Sequence, residues 1–257
     1  MRIATYNIWN SSRGMPHRKK QIINEIDNTK ADIIGLQEVT KEIYEYLEEE
    51  LTMFRYSYYH EFATEYKGLA LFSKNKLKNN RYIENAILST FKFNDETITV
   101  INIHLPWDSV LKREKLIIEI IKVSTKVESD YTFLLGDFND FNGLDNSSIH
   151  HYITGQRTLN STEAEPYFYD LAEIYAEFTG KSPAKTLDLR NNPRWQGKQY
   201  AATSGRVDRI YYKEPFPKPF PLLKSVSIFG LEVNSESHYC ASDHYGVLVE
   251  LTFENDI

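Results

Sequence analysis

Short apolar runs and helical stripes alternate along the whole chain. Residues 2–8 read as an opening strand, followed by a polar, turn-rich loop at 10–16. Ile22, Ile23 and Ile26 lay an apolar stripe along a helix at 21–29. A short buried strand follows at 31–36, then a helix at 41–51 with a charged outer face. Strands are predicted at 54–60, 68–73, 81–88, 89–93 and 97–104, with Asn94-Asp95-Glu96 as the turn between the last two. The longest helix candidate spans 110–127, burying Leu111, Ile117, Ile118, Ile121 and Val123. After it come a strand at 131–136, helical stretches at 146–152 and 170–178, and strands at 207–212, 222–229 and 245–253. Residues 179–203, with Gly180, Pro183, Pro193 and Gly197, form a long irregular loop of the kind that often carries function. Mixed hairpins and crossovers predict an α/β (α+β) chain of two packed sheets with helices outside, rather than one doubly wound sheet. No internal repeat, low-complexity tract or linker interrupts the pattern, so one domain over residues 1–257 is expected.

Composition narrows the function. The chain is 41% hydrophobic and 26% charged, enough for a sizeable core, and its 18 Tyr and 14 Phe argue against disorder. A net charge of −6 disfavours an undirected nucleic-acid coat, although a local basic rim is compatible with an acidic remainder. Cys240 is the only cysteine, which excludes an internal disulfide or a cysteine-based zinc cluster. The first residues read as a strand rather than a leader, and no apolar run reaches the roughly 18 residues of a membrane span. A cytoplasmic location without stable membrane association is therefore expected.

The chemistry lies where strands end. Asn7 closes the first strand, Glu38 follows the run at 33–36, and His104 ends 101–103. Asp137 and Asn139 follow Phe133-Leu134-Leu135-Gly136, Asp208 opens the strand at 207–212, and Asp243-His244 precede the last one. Taken singly, a strand-end Asn or Asp is usually a turn or cap residue. Taken together they suit phosphoryl transfer. A hard divalent cation takes oxygen from one or two carboxylates, a role for Glu38 with Asn7 as a neutral oxygen ligand or its partner. Asp137 beside Asn139 would orient and deprotonate a water. His104, His244 and Asn7 would donate to the developing phosphoryl charge, with Asp208 orienting a histidine. Trp107 and Arg113, or Trp195 with Arg190 and Arg194, would stack a base and hold its phosphate; packing of Trp107 on its own helix is the alternative. Adjacent His150 and His151 point apart on any regular element and make a poor metal pair. Cys240 near His238 lacks an activating context and reads as a small buried residue.

In order along the chain, Thr5-Tyr6-Asn7-Ile8, Leu36-Gln37-Glu38-Val39, Gly68-Leu69-Ala70-Leu71-Phe72-Ser73 and Asn102-Ile103-His104-Leu105 resemble the endonuclease/exonuclease/phosphatase (DNase I-like) superfamily. Gly136-Asp137-Phe138-Asn139, Arg206-Val207-Asp208-Arg209-Ile210 and Ser242-Asp243-His244 continue the likeness, closest in the last quarter to the tyrosyl-DNA phosphodiesterase 2 branch. Two positions after Asn7, where many DNA-repair members carry an acidic residue, this chain has Trp9. The resemblance implies a four-layer αββα sandwich and Mg2+, or Mn2+ in its place. It implies Glu38 as main metal ligand, Asp137 as the residue aligning or activating water, and Asn7, Asn139, His104 and His244 as phosphate contacts. It pairs Asp208 with His244, and Asp243 either touches a second metal position or orients its neighbour. The expected activity is metal-dependent phosphoester hydrolysis of nucleic acid or a small phosphorylated compound. A sphingomyelinase-type lipid phosphodiesterase and a non-catalytic binding protein retaining the fold are the alternatives.

Overall fold

A computed structural model describes residues 1–63, 65–141, 148–159, 167–195 and 203–253. Its interior is built from two six-stranded sheets. The first has the order β11 (Leu222–Phe229), β12 (Gly246–Thr252), β1 (Arg2–Asn7), β2 (Ile33–Val39), β4 (Gly68–Ser73) and β3 (Tyr56–Glu61). The second has β5 (Lys78–Ile83), β6 (Ala86–Phe93), β7 (Glu96–His104), β8 (Tyr131–Asp137), β10 (Asp208–Lys213) and β9 (Phe168–Asp170). The sheets share one sequence of pairing senses, antiparallel throughout except for the parallel pairs β1–β2 and β7–β8. A parallel pair needs a crossover, supplied here by α1 (His17–Thr29) and α3 (Val110–Ser124). The other described helices are α2 (Lys41–Glu50), α4 (Ser148–Ile153) and α5 (Leu171–Thr179).

Three apolar layers hold the elements together. Between the sheets meet Ile3, Ile33, Leu71, Val100, Phe133 and Val249. Behind the first sheet, Ala4, Tyr6, Ile34 and Leu36 pack on Ile22 and Ile26 of α1 and Leu47 of α2. Behind the second, Ile101, Ile103 and Leu134 pack on Ile117, Ile120 and Ile121 of α3, with Ile149 and Ile153 of α4. The result is a four-layer αββα sandwich of the DNase I-like kind. Central strands covered on both faces read as continuous apolar runs, which explains why β1, β2, β7 and β8 lack a clean alternation. One polar pair interrupts the layer between the sheets. Gln37 Nε2 donates to Asn102 Oδ1 (2.6 Å) and Thr5 Oγ1 (2.9 Å), while Asn102 Nδ2 donates to the Leu36 and Ala70 carbonyls, both at 3.0 Å. Gly35 leaves room for it: a Cβ there would meet Asn102 Cγ at 2.8 Å.

Several element boundaries differ from the sequence reading. The predicted strands 81–88 and 89–93 are instead the hairpin β5–β6, turned at Glu84 and Asn85, with Asn85 at φ 61°. The buried run 86–91 obscured that turn because β6 is covered on both faces. Helix α1 begins at His17 rather than 21, since the buried position in its first turn is filled by Arg18 instead of an apolar residue. Helix α3 stops at Ser124, and the three-residue strand β9 was not foreseen. The start of the predicted helix 146–152, at 146–147, and Gly197 of the predicted loop lie outside the described residues.

Candidate active site

Period-two alternation places most of the cluster. On β8, Tyr131, Phe133 and Leu135 face the other sheet, so Asp137 is the next side chain in that row. The same counting carries Asn7 after Ile3 on β1 and His104 after Ile98 and Val100 on β7. It also places Asp208 before Ile210 and Tyr212 on β10. Register aligns these ends, with His104 opposite Asp137 and Asp137 opposite Asp208. The core between the sheets therefore ends in a polar row at one edge. Glu38 arrives by another route. The row facing the helices runs Ile34, Leu36, Val39, so Glu38 is an extra residue. A β-bulge lies between Gln37 and Val39, with Glu38 at φ 59°, and it re-aims this carboxylate towards the cluster.

Asp137 is the centre of the arrangement and is 1% exposed. Its Oδ2 accepts from Asn7 Nδ2 at 2.9 Å, and its Oδ1 accepts from the Asn139 N–H at 2.9 Å. His104 Nε2 approaches Oδ2 to 3.6 Å and His244 Nδ1 to 3.9 Å. Gly136 precedes it at φ 137°, where an added Cβ would fall 2.0 Å from the Ile103 carbonyl oxygen, so only glycine permits this approach of β7 to β8. Asn139, at φ 48°, also sends Nδ2 to the Leu105 carbonyl at 2.8 Å, tying the loops after β7 and β8. His244 Nδ1 lies 2.9 Å from Asp208 Oδ2. Burial opposes the charge on His244, yet Asp208 and Asp137 outweigh it and hold the imidazole protonated well above the ordinary histidine range. Asp137, Asp208 and His244 present ligand atoms within 4.8 Å of one another, but the His244 nitrogen is already engaged by Asp208.

Glu38 and Asp243 form the more open side. Glu38 Oε2 accepts from the Asn10 N–H at 2.8 Å, while Oε1 faces Lys67 Nζ at 3.2 Å and His104 Nε2 at 3.9 Å. Burial raises the Glu38 pKa, but His104, Lys67 and the Asn10 amide outweigh it and hold it below the usual carboxylate value. Asp243 is pushed up to about 6, first by burial and then by Glu38, against the pull of His244, Arg194 and Arg18.

Some supporting residues escaped the sequence reading. Arg18 is fully buried and donates to the carbonyls of Ile8, Trp9, Ser11, Arg13 and Ala241, bracing the loop after β1 against the segment before Asp243. Its guanidinium lies 4.5 Å from the Trp9 ring centroid, and that of Arg194 lies 5.3 Å away, so Trp9 packs against two cations. Thr186 Oγ1 accepts from the Val207 and Asp208 amides, and its carbonyl accepts from Tyr245 N–H. Ser242 Oγ donates to the Asn7 carbonyl at 2.6 Å.

The two expected substrate contacts part company. Arg113 is buried, and its Nη1 donates to the Pro106 and Trp107 carbonyls, both at 3.1 Å, so it braces that loop instead of facing the cluster. Trp107, on the braced loop, is 77% exposed and does not pack on its own helix. It borders a groove of about 410 Å³ that also includes Lys67, Asn85, His104, Lys112 and Lys115. His150 and His151 do not point fully apart, since their rings meet edge to face with centroids 6.2 Å apart. His150 is nevertheless buried against Tyr211, and His151 belongs to no grouped set of ligand atoms among the described residues. Cys240 is a buried free thiol that burial pushes up to about 11, which leaves no thiol nucleophile.

Comparison with known proteins agrees with this geometry. A family model described as "Endonuclease/Exonuclease/phosphatase family" matches residues 4–244. The solved structure of D. rerio TDP2 complexed with single strand DNA product superposes with a TM-score of 0.77 at 15% identity, covering 97% of each chain. Truncated Caenorhabditis elegans TDP2 gives 0.75 at 16% identity, covering 98% of this chain and 97% of that one. SmcL gives 0.70 at 17% identity over 98% of both chains. In sequence, the chain is 28% identical over 168 residues to the probable CCR4-Not complex 3'-5'-exoribonuclease subunit Ccr4 of Vairimorpha ceranae. That match takes in 61% of this chain and 32% of the relative, about a third of its length. The strand-end cluster, the paired sheets that converge on it and the match from residue 4 to residue 244 agree: the chain belongs to the endonuclease/exonuclease/phosphatase family.

Proposed function

We propose that the chain hydrolyses a phosphoester with water, assisted by a divalent cation, Mg2+ or Mn2+. The observation that carries this reading is the Asp137 carboxylate, buried, fixed by two N–H donors and flanked by two imidazoles. A carboxylate so oriented takes a proton from a water aligned with phosphorus. The protonated His244, held by Asp208, and His104 donate to the phosphoryl oxygens as negative charge develops there. Asn7 through its side-chain amide and Asn139 through its backbone N–H keep the Asp137 oxygens in place, so both act through that residue as well as towards phosphate. The donor set fits a hard cation. Glu38 and Asp243 supply oxygen, and Asp243 is pressed upward by burial and by its like-charged neighbour, a strain that a divalent ion would relieve. Bound there, the cation would neutralise phosphoryl charge and polarise the P–O bond.

The substrate we favour is nucleic acid, in preference to a small phosphorylated compound or a phospholipid. The exposed indole of Trp107 on a braced loop offers a stacking face beside His104. The solved TDP2 relative was captured with a single-strand DNA product, and the Ccr4 relative carries the name of an exoribonuclease. Among the described residues no helix is long and apolar enough to cross a membrane. A cytoplasmic setting is part of the same reading.

Release of p-nitrophenol from bis(p-nitrophenyl) phosphate should require Mg2+ and stop with EDTA. Glu38→Ala and Asp137→Asn should each lower turnover by about a thousandfold or more while leaving the circular dichroism spectrum unchanged. Undiminished turnover in either purified variant would overturn the assignment. A panel of single-stranded oligonucleotides, inositol phosphates and sphingomyelin tests the substrate. Preference for either of the last two would reject nucleic acid.

A further inference from the structure

Lys67 lies inside the cluster without a role in the reaction just described. It ends the connection between β3 and β4, where the Phe62 N–H donates to the Lys67 carbonyl at 3.0 Å. Gly68 follows it at a point where a Cβ would stand 2.0 Å from the His60 carbonyl oxygen, so the backbone beneath Lys67 is closely held. Its side chain is only 19% exposed, and Nζ stands 3.2 Å from Glu38 Oε1 and 3.2 Å from Glu65 Oε2. Because Glu38 Oε2 is occupied by the Asn10 amide, Oε1 is the oxygen open to a cation, and the ammonium already faces it.

We infer that Lys67 is a built-in placeholder cation, which a divalent metal displaces from Glu38 towards Glu65. The inference rests on Glu38 being the metal ligand. A cation bonded to a carboxylate oxygen at about 2.0–2.1 Å would put its two charges against an ammonium on that same oxygen. Glu65 is half-exposed, belongs to the same connection and already touches Nζ, so the side chain can shift its ion pair without moving the backbone. The placeholder holds Glu38 Oε1 aligned for the metal. In exchange, it sets the metal affinity below what the carboxylates alone would give.

Binding of Mg2+ alone to the full chain, followed by isothermal titration calorimetry without substrate, tests the exchange. Lys67→Met should tighten Mg2+ binding by about three- to tenfold, and Glu65→Gln should weaken it by about threefold. Simple through-space charge effects would give the same two signs, so the double variant decides. With Lys67 gone there is nothing for Glu65 to receive, and adding Glu65→Gln to Lys67→Met should leave the affinity unchanged. Unchanged or weaker binding by Lys67→Met, or additive effects in the double variant, would overturn the placeholder. Glu38→Gln separates the two readings. Loss of Mg2+ binding in that variant supports Glu38 as the ligand, whereas wild-type binding would reject the metal assignment itself.

Discussion

Neighbouring residues of β10 serve two clusters of the same ingredients with opposite electrostatics. Asp208 faces the other sheet and joins Asp137 and His244, whereas Arg209 faces the helices and joins Asp140, Asp170, Glu173, Arg206 and His150. In the second cluster, arginines answer the carboxylates. Arg209 reaches Asp140 at 2.9 Å, and Arg206 grips both oxygens of Asp170 and one of Glu173. Burial and those arginines push His150 down to about 4, so it is neutral and shares a hydrogen bond with the Tyr211 hydroxyl. No arginine reaches Asp137 or Asp208 within salt-bridge distance among the described residues; the protonated His244 answers Asp208, and Asp137 is flanked by the imidazoles of His104 and His244. His150, Asp170 and Glu173 also offer grouped ligand atoms, but their charge is already met. A site and a brace are thus distinguished by how their carboxylates are neutralised. A buried carboxylate group with its own arginines holds the fold, and one left short of cations is available for chemistry.

The largest effects should come from changing one residue in each cluster. Asp208→Asn should cut turnover by about a thousandfold or more with only a modest fall in melting temperature, because loss of the His244 ion pair is partly offset by removal of a like charge beside Asp137. Arg209→Met should do the reverse, costing about 3–5 kcal/mol by stranding Asp140, with turnover per folded molecule within a few-fold of wild type. Steady-state kinetics and urea denaturation on both variants read the contrast. If Asp208→Asn kept activity within tenfold, or Arg209→Met unfolded no more easily, the division would collapse.

The two buried histidines also respond oppositely to pH. His150 has a folded-state value near 4, below the unfolded value, so the native state binds fewer protons over that interval. Its stability is complete above about pH 6.5 and falls by about 2–3 kcal/mol as pH drops towards 4. His244 has the opposite sign: its raised value gives stability below the unfolded pKa that is lost as pH climbs through the folded one. Denaturation at pH 4.5 and 7.5 should show His150→Gln less acid-sensitive than wild type, and an identical pH slope would refute the assignment. Smallest of all, Glu173→Gln should cost under about 1 kcal/mol, since that carboxylate is 40% exposed and Arg206 keeps Asp170.

Much of the site was legible because strand-end residues inherit their direction from an apolar row. Once Phe133 and Leu135 face the other sheet, Asp137 must follow, and the same holds for Asn7, His104 and Asp208. Glu38 breaks this rule, since it reaches the cluster through a bulge that strand alternation alone does not predict. Arg18 and Arg113 were obscured for a different reason. A long cationic side chain on a helix reads as solvated or, as Arg113 did, as a phosphate contact, and only tertiary packing reveals the carbonyls it satisfies. Lys67 and Thr186 lie in connections without periodicity, so nothing local marks them. The same blindness moved the β5–β6 turn: a strand buried on both faces conceals where the chain reverses.

The polar pair between the sheets has a consequence for the newly made chain. Gln37 adjoins Glu38, Asn102 lies two residues before His104, and their 2.6 Å bond joins a sheet that draws on early and late strands to one built from the middle of the sequence. β12, at residues 246–252, must dock beside β1 before His244 can meet Asp208. A nascent chain that has formed its first hairpins therefore carries Glu38 and Asp137 but no competent catalyst. The site is therefore complete only once β12 has docked, because His244 lies two residues before that strand.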